Sequence, residues 1–290
     1  MNSSQPSIPF ARYASLAGVH TTLLVFAAIF LPQTTYLLVP SGDESKLQQG
    51  PIFTSVTADP VLTLAWFCLG GAVLQAWWGG WMRYWWRELE QARSAGFQTV
   101  DASQDDVERR IGNNFKDALV ATLVSSALFY FVVILFGAPI SSHFSESYLL
   151  SVFLAILVVF PVTYALRTPS FAPDTPSLVH RLTWTRLFAE ISPRTALERA
   201  LVYPACGAIL GAWMGALPIA LDWERPWQTW PLTPAFGAIA GYILSTWGAL
   251  LVSATHLLAD ADRQAGSSPH RSVLHPTKAK TREKEKKKTK

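Results

Sequence analysis

Charge is scarce in this chain, and where it occurs it is crowded. Asp, Glu, Lys and Arg make up only 15% of the 290 residues, well under the roughly 25% of an ordinary soluble domain. Cysteine is almost missing: Cys68 and Cys206 are the only two, and both sit inside apolar blocks, which excludes a disulfide framework. The six histidines show no metal-ligand spacing. No Ser/His/Asp arrangement, phosphate-cradling glycine loop or carboxylate cluster appears, so no catalytic site, metal or cofactor is expected. A CDP-alcohol phosphotransferase would need several aspartates on helix ends, and that cluster is missing too. The one Asp-x-Asp pair, Asp260-Ala261-Asp262, borders a basic tail and reads as a solvated helix end rather than a nucleotide-sugar site. Residues 1–10 are polar and lack the basic and apolar pattern of a signal peptide, so the first apolar helix is expected to act as an uncleaved signal.

What the chain has instead is long apolar runs. Half of the residues are hydrophobic, and the mean hydropathy is +0.22. Runs of about 20 residues match a bilayer core of ~30 Å at 1.5 Å per helical residue. Inside that core the backbone must satisfy its own hydrogen bonds, so helix is the default. The reading is an all-α polytopic membrane protein with six spans: Ala14 to Leu31, Val61 to Trp81, Asp117 to Phe136, Ser147 to Leu166, Ala200 to Leu217 and Thr233 to Ser253.

Orientation follows from the cations. With the N-terminus in the cytosol, 22 of the 24 Lys and Arg residues fall on the cytosolic side, leaving only Lys46 and Arg225 opposite. An even number of spans places both termini in the cytosol. The predicted domains are a cytosolic N-tail over 1–13, a six-helix membrane domain over 14–258, and a basic, disordered cytosolic tail over 259–290. The net charge of +4 crowds into that tail and does not point to nucleic acid. The connection over 88–115 reads as a mixed-charge cytosolic loop with a helix cap at Asp101 or Ser103. The connection over 168–193 reads as a Pro-, Ser- and Thr-rich loop with Trp184 and Phe188 on the membrane surface.

Glycines mark the fifth and sixth spans. Gly207, Gly211 and Gly215 share one face, as do Gly237 and Gly241. Spacing of four opens a groove that lets another backbone come close. Two occupants fit: the fifth and sixth spans against each other, or a partner helix or lipid. Between these spans lies a lumenal turn with Asp222, Trp223, Glu224, Arg225, Pro226, Trp227 and Trp230. Its tryptophans suit the headgroup layer, and its acids suit either a local pair with Arg225 or an ammonium headgroup. A second cluster, Trp77, Trp78, Trp81, Trp85 and Trp86, reads as an interfacial belt. His20 and Gln75 are the notable polar residues inside the spans, where an ionisable group is a functional candidate. His20, near a helix end, is expected to hydrogen-bond a neighbouring helix. Lys287 and Lys288 stand three and four from the end, the placement of a dilysine retrieval signal, within a tail whose lysine content supplies such a pair by composition alone.

The stretch Gly211-Ala212-Trp213-Met214-Gly215-Ala216-Leu217-Pro218, then Leu221-Asp222-Trp223-Glu224-Arg225-Pro226-Trp227-Gln228 and Trp230-Pro231, resembles the PIG-F family of GPI-anchor biosynthesis, in its fungal form. Gly237, Gly241-Tyr242, His20-Thr21-Thr22-Leu23-Leu24 and Phe136-Gly137-Ala138-Pro139 extend the match. One departure is Ala220, where the family carries a second proline. The resemblance implies a non-catalytic subunit of the endoplasmic-reticulum membrane. Its partners would be the large GPI ethanolamine-phosphate transferases, PIG-O-like and PIG-G-like, together with membrane lipids. Those enzymes transfer phosphoethanolamine from phosphatidylethanolamine to GPI-precursor mannoses at the lumenal face. Two other readings remain. A small lipid transporter or scramblase would need a polar path through the bundle. A phosphotransferase in its own right would have to use Asp222, Glu224 or His143.

Overall fold

The computed structural model describes residues 9–34, 56–57, 59–94, 104–139, 142–221 and 226–267. Eight α-helices run along these residues: α1 (Phe10–Phe30), α2 (Pro60–Ser94), α3 (Gln104–Leu135), α4 (Phe144–Val158), α5 (Phe160–Leu166), α6 (Thr175–Trp184), α7 (Ala196–Ala216) and α8 (Leu232–Ser267). No strand occurs among the described residues. Six segments are long and apolar enough to cross a bilayer, one each from α1, α2, α3, α4 with α5, α7 and α8. The chain is therefore a multi-pass α-helical membrane protein, as its hydropathy predicts.

Several helices outrun their apolar cores. The 35 residues of α2 reach about 50 Å at 1.5 Å per residue, far past a hydrocarbon layer of ~30 Å. Most of the connection expected as a loop over 88–115 is helix: α2 continues to Ser94 and α3 begins at Gln104. The physical reason is composition, because Arg87-Glu88-Leu89-Glu90-Gln91-Ala92 are strong helix formers once the chain is in water. The expected caps Asp101 and Ser103 lie outside the described residues.

The fourth span is broken in two. Pro161 has no N–H to offer, so the helix cannot close its bond there. Val159 still donates to the Ala155 carbonyl at 2.9 Å, and Thr163 to Val159 at 2.9 Å. This span is the most enclosed, with 67% of its apolar window buried, whereas that of α3 is 17% buried and largely exposed. Accordingly α4 packs on α2, α3 and α7, while α3 packs mainly on α4 and α5.

The chain divides into two compact units, Met1–Ser253 and Ala254–Lys290. The first holds two apolar clusters. One, toward the N-terminal end of α1, gathers Tyr13, Trp78, Met82, Trp85, Leu187, Leu197 and Leu250. The other gathers Leu24, Phe67, Phe153, Leu157, Ala235 and Ile239. Trp78 and Trp85 are each 1% exposed, so they are core residues, contrary to the interfacial belt read from composition. Their spacing of seven, with Met82 between, puts all three on the inward stripe of α2. The second unit, as far as it is described, is the last stretch of α8, in which Arg263 and Asp260 pair at 3.4 Å on the surface. That helix runs on to Ser267, past the boundary expected at 258.

The connection over 168–193 also holds more structure than expected. After α6 the chain takes one π-helical turn, Thr185–Ala189. Trp184 and Phe188 meet with ring centroids 5.3 Å apart and planes tilted by 33°, and both lean on the first apolar cluster rather than outward.

Candidate functional site

The glycine faces of α7 and α8 meet each other. A β-carbon built on Gly211 would strike the carbonyl oxygen of Gly237, and one on Gly237 would strike that of Gly211. Gly241 stands in the same relation to the Gly207 carbonyl, and Gly215 to that of Thr233. Gly207 also faces Ser245, whose hydroxyl donates to the Gly241 carbonyl within its own helix. Only glycine lets two helix backbones approach this closely. Of the two occupants open at the sequence level, the groove holds the chain's own neighbouring helix.

The turn that follows α7 is a 3₁₀ turn, Leu217–Ala220, and a second such turn, Pro226–Gln228, precedes α8. Asp222, Trp223, Glu224 and Arg225 lie outside the described residues. Gln228 fastens the turn, its amide nitrogen donating to the carbonyls of Pro218 and Leu221, each at 2.7 Å. Trp227 is exposed. Trp230 turns inward, and its indole N–H donates to the Ser147 hydroxyl at the start of α4, at 3.0 Å. Ser147 is fully buried. No sequence signal pairs these two residues, since the contact depends on how α4 and α8 pack. Among the described residues, no group of three or more His, Cys, Asp or Glu side chains is placed to hold a metal ion. The His143 ring meets Glu146 at 3.3 Å.

A polar layer lies between the two apolar clusters. His20 of α1 stacks on Trp78 of α2, with centroids 4.8 Å apart and planes at 14°. Its edge meets Tyr242 of α8 at 5.7 Å. The Tyr242 hydroxyl donates to Gln75 Oε1 at 3.3 Å. All three side chains are buried. Among the described residues, both ring nitrogens of His20 lack a hydrogen-bond partner, as do Gln75 Nε2, Trp78 Nε1 and the Tyr13 hydroxyl. His20 thus packs as an aromatic ring and makes no hydrogen bond to a neighbouring helix, unlike the expectation from its position.

A clasp of charged groups at the start of α7 went unread in the sequence. Thr195 and Glu198 form a capping box: the Thr195 hydroxyl accepts from the Glu198 N–H at 3.1 Å, and the Glu198 carboxylate accepts from the Thr195 N–H at 3.3 Å. The pattern Thr195-Ala196-Leu197-Glu198 is visible by eye. Arg186, from the π turn, closes on Glu198 with two bonds of 2.7 and 3.1 Å, the fork geometry that makes Arg–carboxylate pairs strong. These hydrogen bonds hold the Arg186 pKa above its ordinary value. Arg199 reaches across to Ser253 of α8 at 2.9 Å, and Arg83 of α2 donates to the Tyr164 carbonyl of α5 at 3.0 Å.

Comparison with known proteins agrees with the resemblance carried by the Gly211 to Pro231 stretch. The model of the family described as GPI biosynthesis protein family Pig-F matches residues 47–250. Glycosylphosphatidylinositol anchor biosynthesis protein 11 of Neurospora crassa is 38% identical over 127 residues, covering 44% of this chain and 41% of that protein. The protein of the same name from Yarrowia lipolytica is 30% identical over 154 residues, covering 52% and 62%. The human GPI ethanolamine phosphate transferase, stabilizing subunit, is 33% identical over 129 residues, covering 44% and 54%. The matched stretches thus span from 41% to 62% of these relatives' own length. No solved structure matches. With the family model covering most of the chain, the glycine seam, the second to fifth spans and most of the sixth included, the chain belongs to the PIG-F family.

Proposed function

We propose that this chain is a non-catalytic stabilising subunit of the GPI ethanolamine-phosphate transferases in the endoplasmic-reticulum membrane. It would support transfer of phosphoethanolamine from phosphatidylethanolamine to GPI-precursor mannoses on the lumenal face. The observation that carries this reading is family membership, together with the human relative named as the stabilizing subunit of that transferase. The partners are the large PIG-O-like and PIG-G-like transferases. Both termini lie in the cytosol, in keeping with the 22 cations on that side, and Lys287 and Lys288, which lie outside the described residues, serve as the retrieval signal.

Because Gly207, Gly211, Gly215, Gly237 and Gly241 pack within the chain, the partner's membrane helices meet other surfaces of the bundle. The seam's task is to fix the α7–α8 hairpin that presents the lumenal turn. Residues 222–230 of that turn contact the transferase's lumenal domain or a lipid headgroup. A scramblase reading lacks support from the polar layer, because apolar clusters bound it on both sides.

Co-purification tests the proposal. The chain is tagged, its membranes are solubilised in mild detergent, and the recovered proteins are identified by mass spectrometry. A large GPI ethanolamine-phosphate transferase in near-equal amount is the expected result. Recovery of the chain alone from several mild detergents, or transferase activity from the purified chain by itself, would overturn it.

A further inference from the structure

The short helix α6 is amphipathic in the sense opposite to that of a helix lying in water. One polar group, His180, is turned onto the protein, and Ser177, Arg181 and Thr183 are half-buried. Asp174 caps it by accepting from the Ser177 N–H at 3.2 Å. His180 donates from Nε2 to the Leu166 carbonyl at 2.7 Å, which ties the middle of α6 to the end of α5. Trp184 and Phe188 tuck against the first apolar cluster. The aliphatic residues take the outward side: Leu178, Val179 and Leu182 are 48%, 57% and 59% exposed, and Phe171, just ahead of the helix, is 87% exposed. In water, apolar surface left exposed in this way forgoes the free energy that burial would gain.

Connectivity limits what can cover this ridge. The segment is tethered at one end to α5 and at the other to α7, both part of bilayer-crossing segments. It therefore stays at the membrane surface on the side of the N-terminal end of α1. Charge on the segment adds a second limit. Arg186 is engaged by Glu198, which leaves Arg167, Arg181 and Arg194 against Asp174 and Glu190. Arg167 and Arg194 are exposed. Apolar residues set outward beside exposed guanidinium groups match the boundary of acyl chains and anionic headgroups.

We propose that α6 is an in-plane membrane-surface helix. Phe171, Leu178, Val179 and Leu182 enter the headgroup–acyl boundary of the leaflet on the arginine-rich side, and Arg167, Arg181 and Arg194 bind the phosphates of its anionic lipids. Such helices sink ~5–10 Å below the headgroup surface. The aromatics that composition places at the surface, Trp184 and Phe188, are instead the inner anchor, and the aliphatic ridge makes the membrane contact.

The test uses the full chain with Cys68→Ala and Cys206→Ala, carrying one new cysteine at a time: Leu178→Cys, Leu182→Cys, or Glu190→Cys as an exposed reference. Each is labelled with an environment-sensitive fluorophore and reconstituted in vesicles of phosphatidylcholine, alone or with one part in five phosphatidylserine. Lipids brominated near the top of the acyl chain are expected to quench positions 178 and 182 about twofold more than position 190. The quenching should deepen with phosphatidylserine and lose that dependence in Arg181→Gln/Arg194→Gln. Equal quenching at all three positions by aqueous iodide, with none from brominated lipid, would overturn the proposal. So would shielding from both quenchers seen only in native membranes, which would assign the ridge to a protein partner. A phosphatidylserine effect unchanged in the double arginine variant would overturn the assignment of the anionic-lipid contacts.

Discussion

Gly211 and Gly237 face each other backbone to backbone, each standing where the other's β-carbon would have to go. Alanine at either position drives a methyl group into a carbonyl oxygen. Overpacking of this kind costs about 1–3 kcal/mol, so Gly211→Ala and Gly237→Ala are expected to lower the thermal unfolding temperature in mild detergent. Gly248, on the same helix α8, has nothing within 4 Å of its β-carbon position. Gly248→Ala should leave stability unchanged, or raise it by up to ~1 kcal/mol through helix propensity. A Gly211→Ala protein that melts with the parent would mean the two helices are not seated this tightly.

The Arg186–Glu198 clasp gives a second expectation. Glu198 is buried and accepts from Arg186 and from two backbone N–H groups. Glu198→Gln keeps the shape but removes the charge, a loss of about 1.5–3 kcal/mol for hydrogen bonds to a charged group. A double-mutant cycle with Arg186→Met, read by unfolding in detergent, should show coupling between the two positions. Strictly additive effects would show that the pair contributes nothing beyond packing.

Membrane spans were the most legible part of the fold, because each is a separate apolar block of bilayer length. Their ends were not, since hydropathy falls silent where α2 and α3 continue on charged helix formers such as Arg87, Glu88 and Glu90. Composition misplaces Trp78 and Trp85 because a tryptophan count says nothing of direction; their shared stripe with Met82 is the signal that does. The glycine spacing revealed a close-packing face but not its occupant. The Thr195–Glu198 box was readable locally, whereas its partner Arg186 lies a turn and a loop away and is brought in only by tertiary packing.

The polar layer supports a third test. Among the described residues, His20 makes stacking contacts and no hydrogen bonds, so His20→Phe should keep the ring over Trp78 and match or exceed the parent in stability. Gln75→Leu removes the acceptor of the Tyr242 hydroxyl. Leaving that hydroxyl unsatisfied costs about 1–3 kcal/mol. Adding Tyr242→Phe should restore much of the loss. A large loss of stability in His20→Phe would mean that the ring nitrogens carry bonds essential to the fold.

Acid should loosen α6 from its N-terminal end. The hydrogen bond from Ser177 holds the Asp174 carboxyl below its ordinary range. A depressed folded-state pKa gives stability that is present above the unfolded value of ~3.9 and lost as pH falls through the folded one. Hydrogen exchange at the amides of 177–179 is the readout. Protection, taken as the observed rate relative to the intrinsic rate at each pH, should be high in the parent at neutral pH and fall in acid, while Asp174→Ala should show low protection at both. Slow exchange in Asp174→Ala at neutral pH would show that the cap is dispensable.

The seam between α7 and α8 also acts as a vernier. Glycines recur every fourth residue on both helices, a step of ~6 Å along the axis. A slip of one helix along the other by less than that step sets a β-carbon against a carbonyl, and a full step leaves the row of glycines one short. The hairpin therefore has one seated register, and the height of the turn at its tip above the bilayer is set by arithmetic in the sequence, while the Gln228 bonds fasten the turn itself.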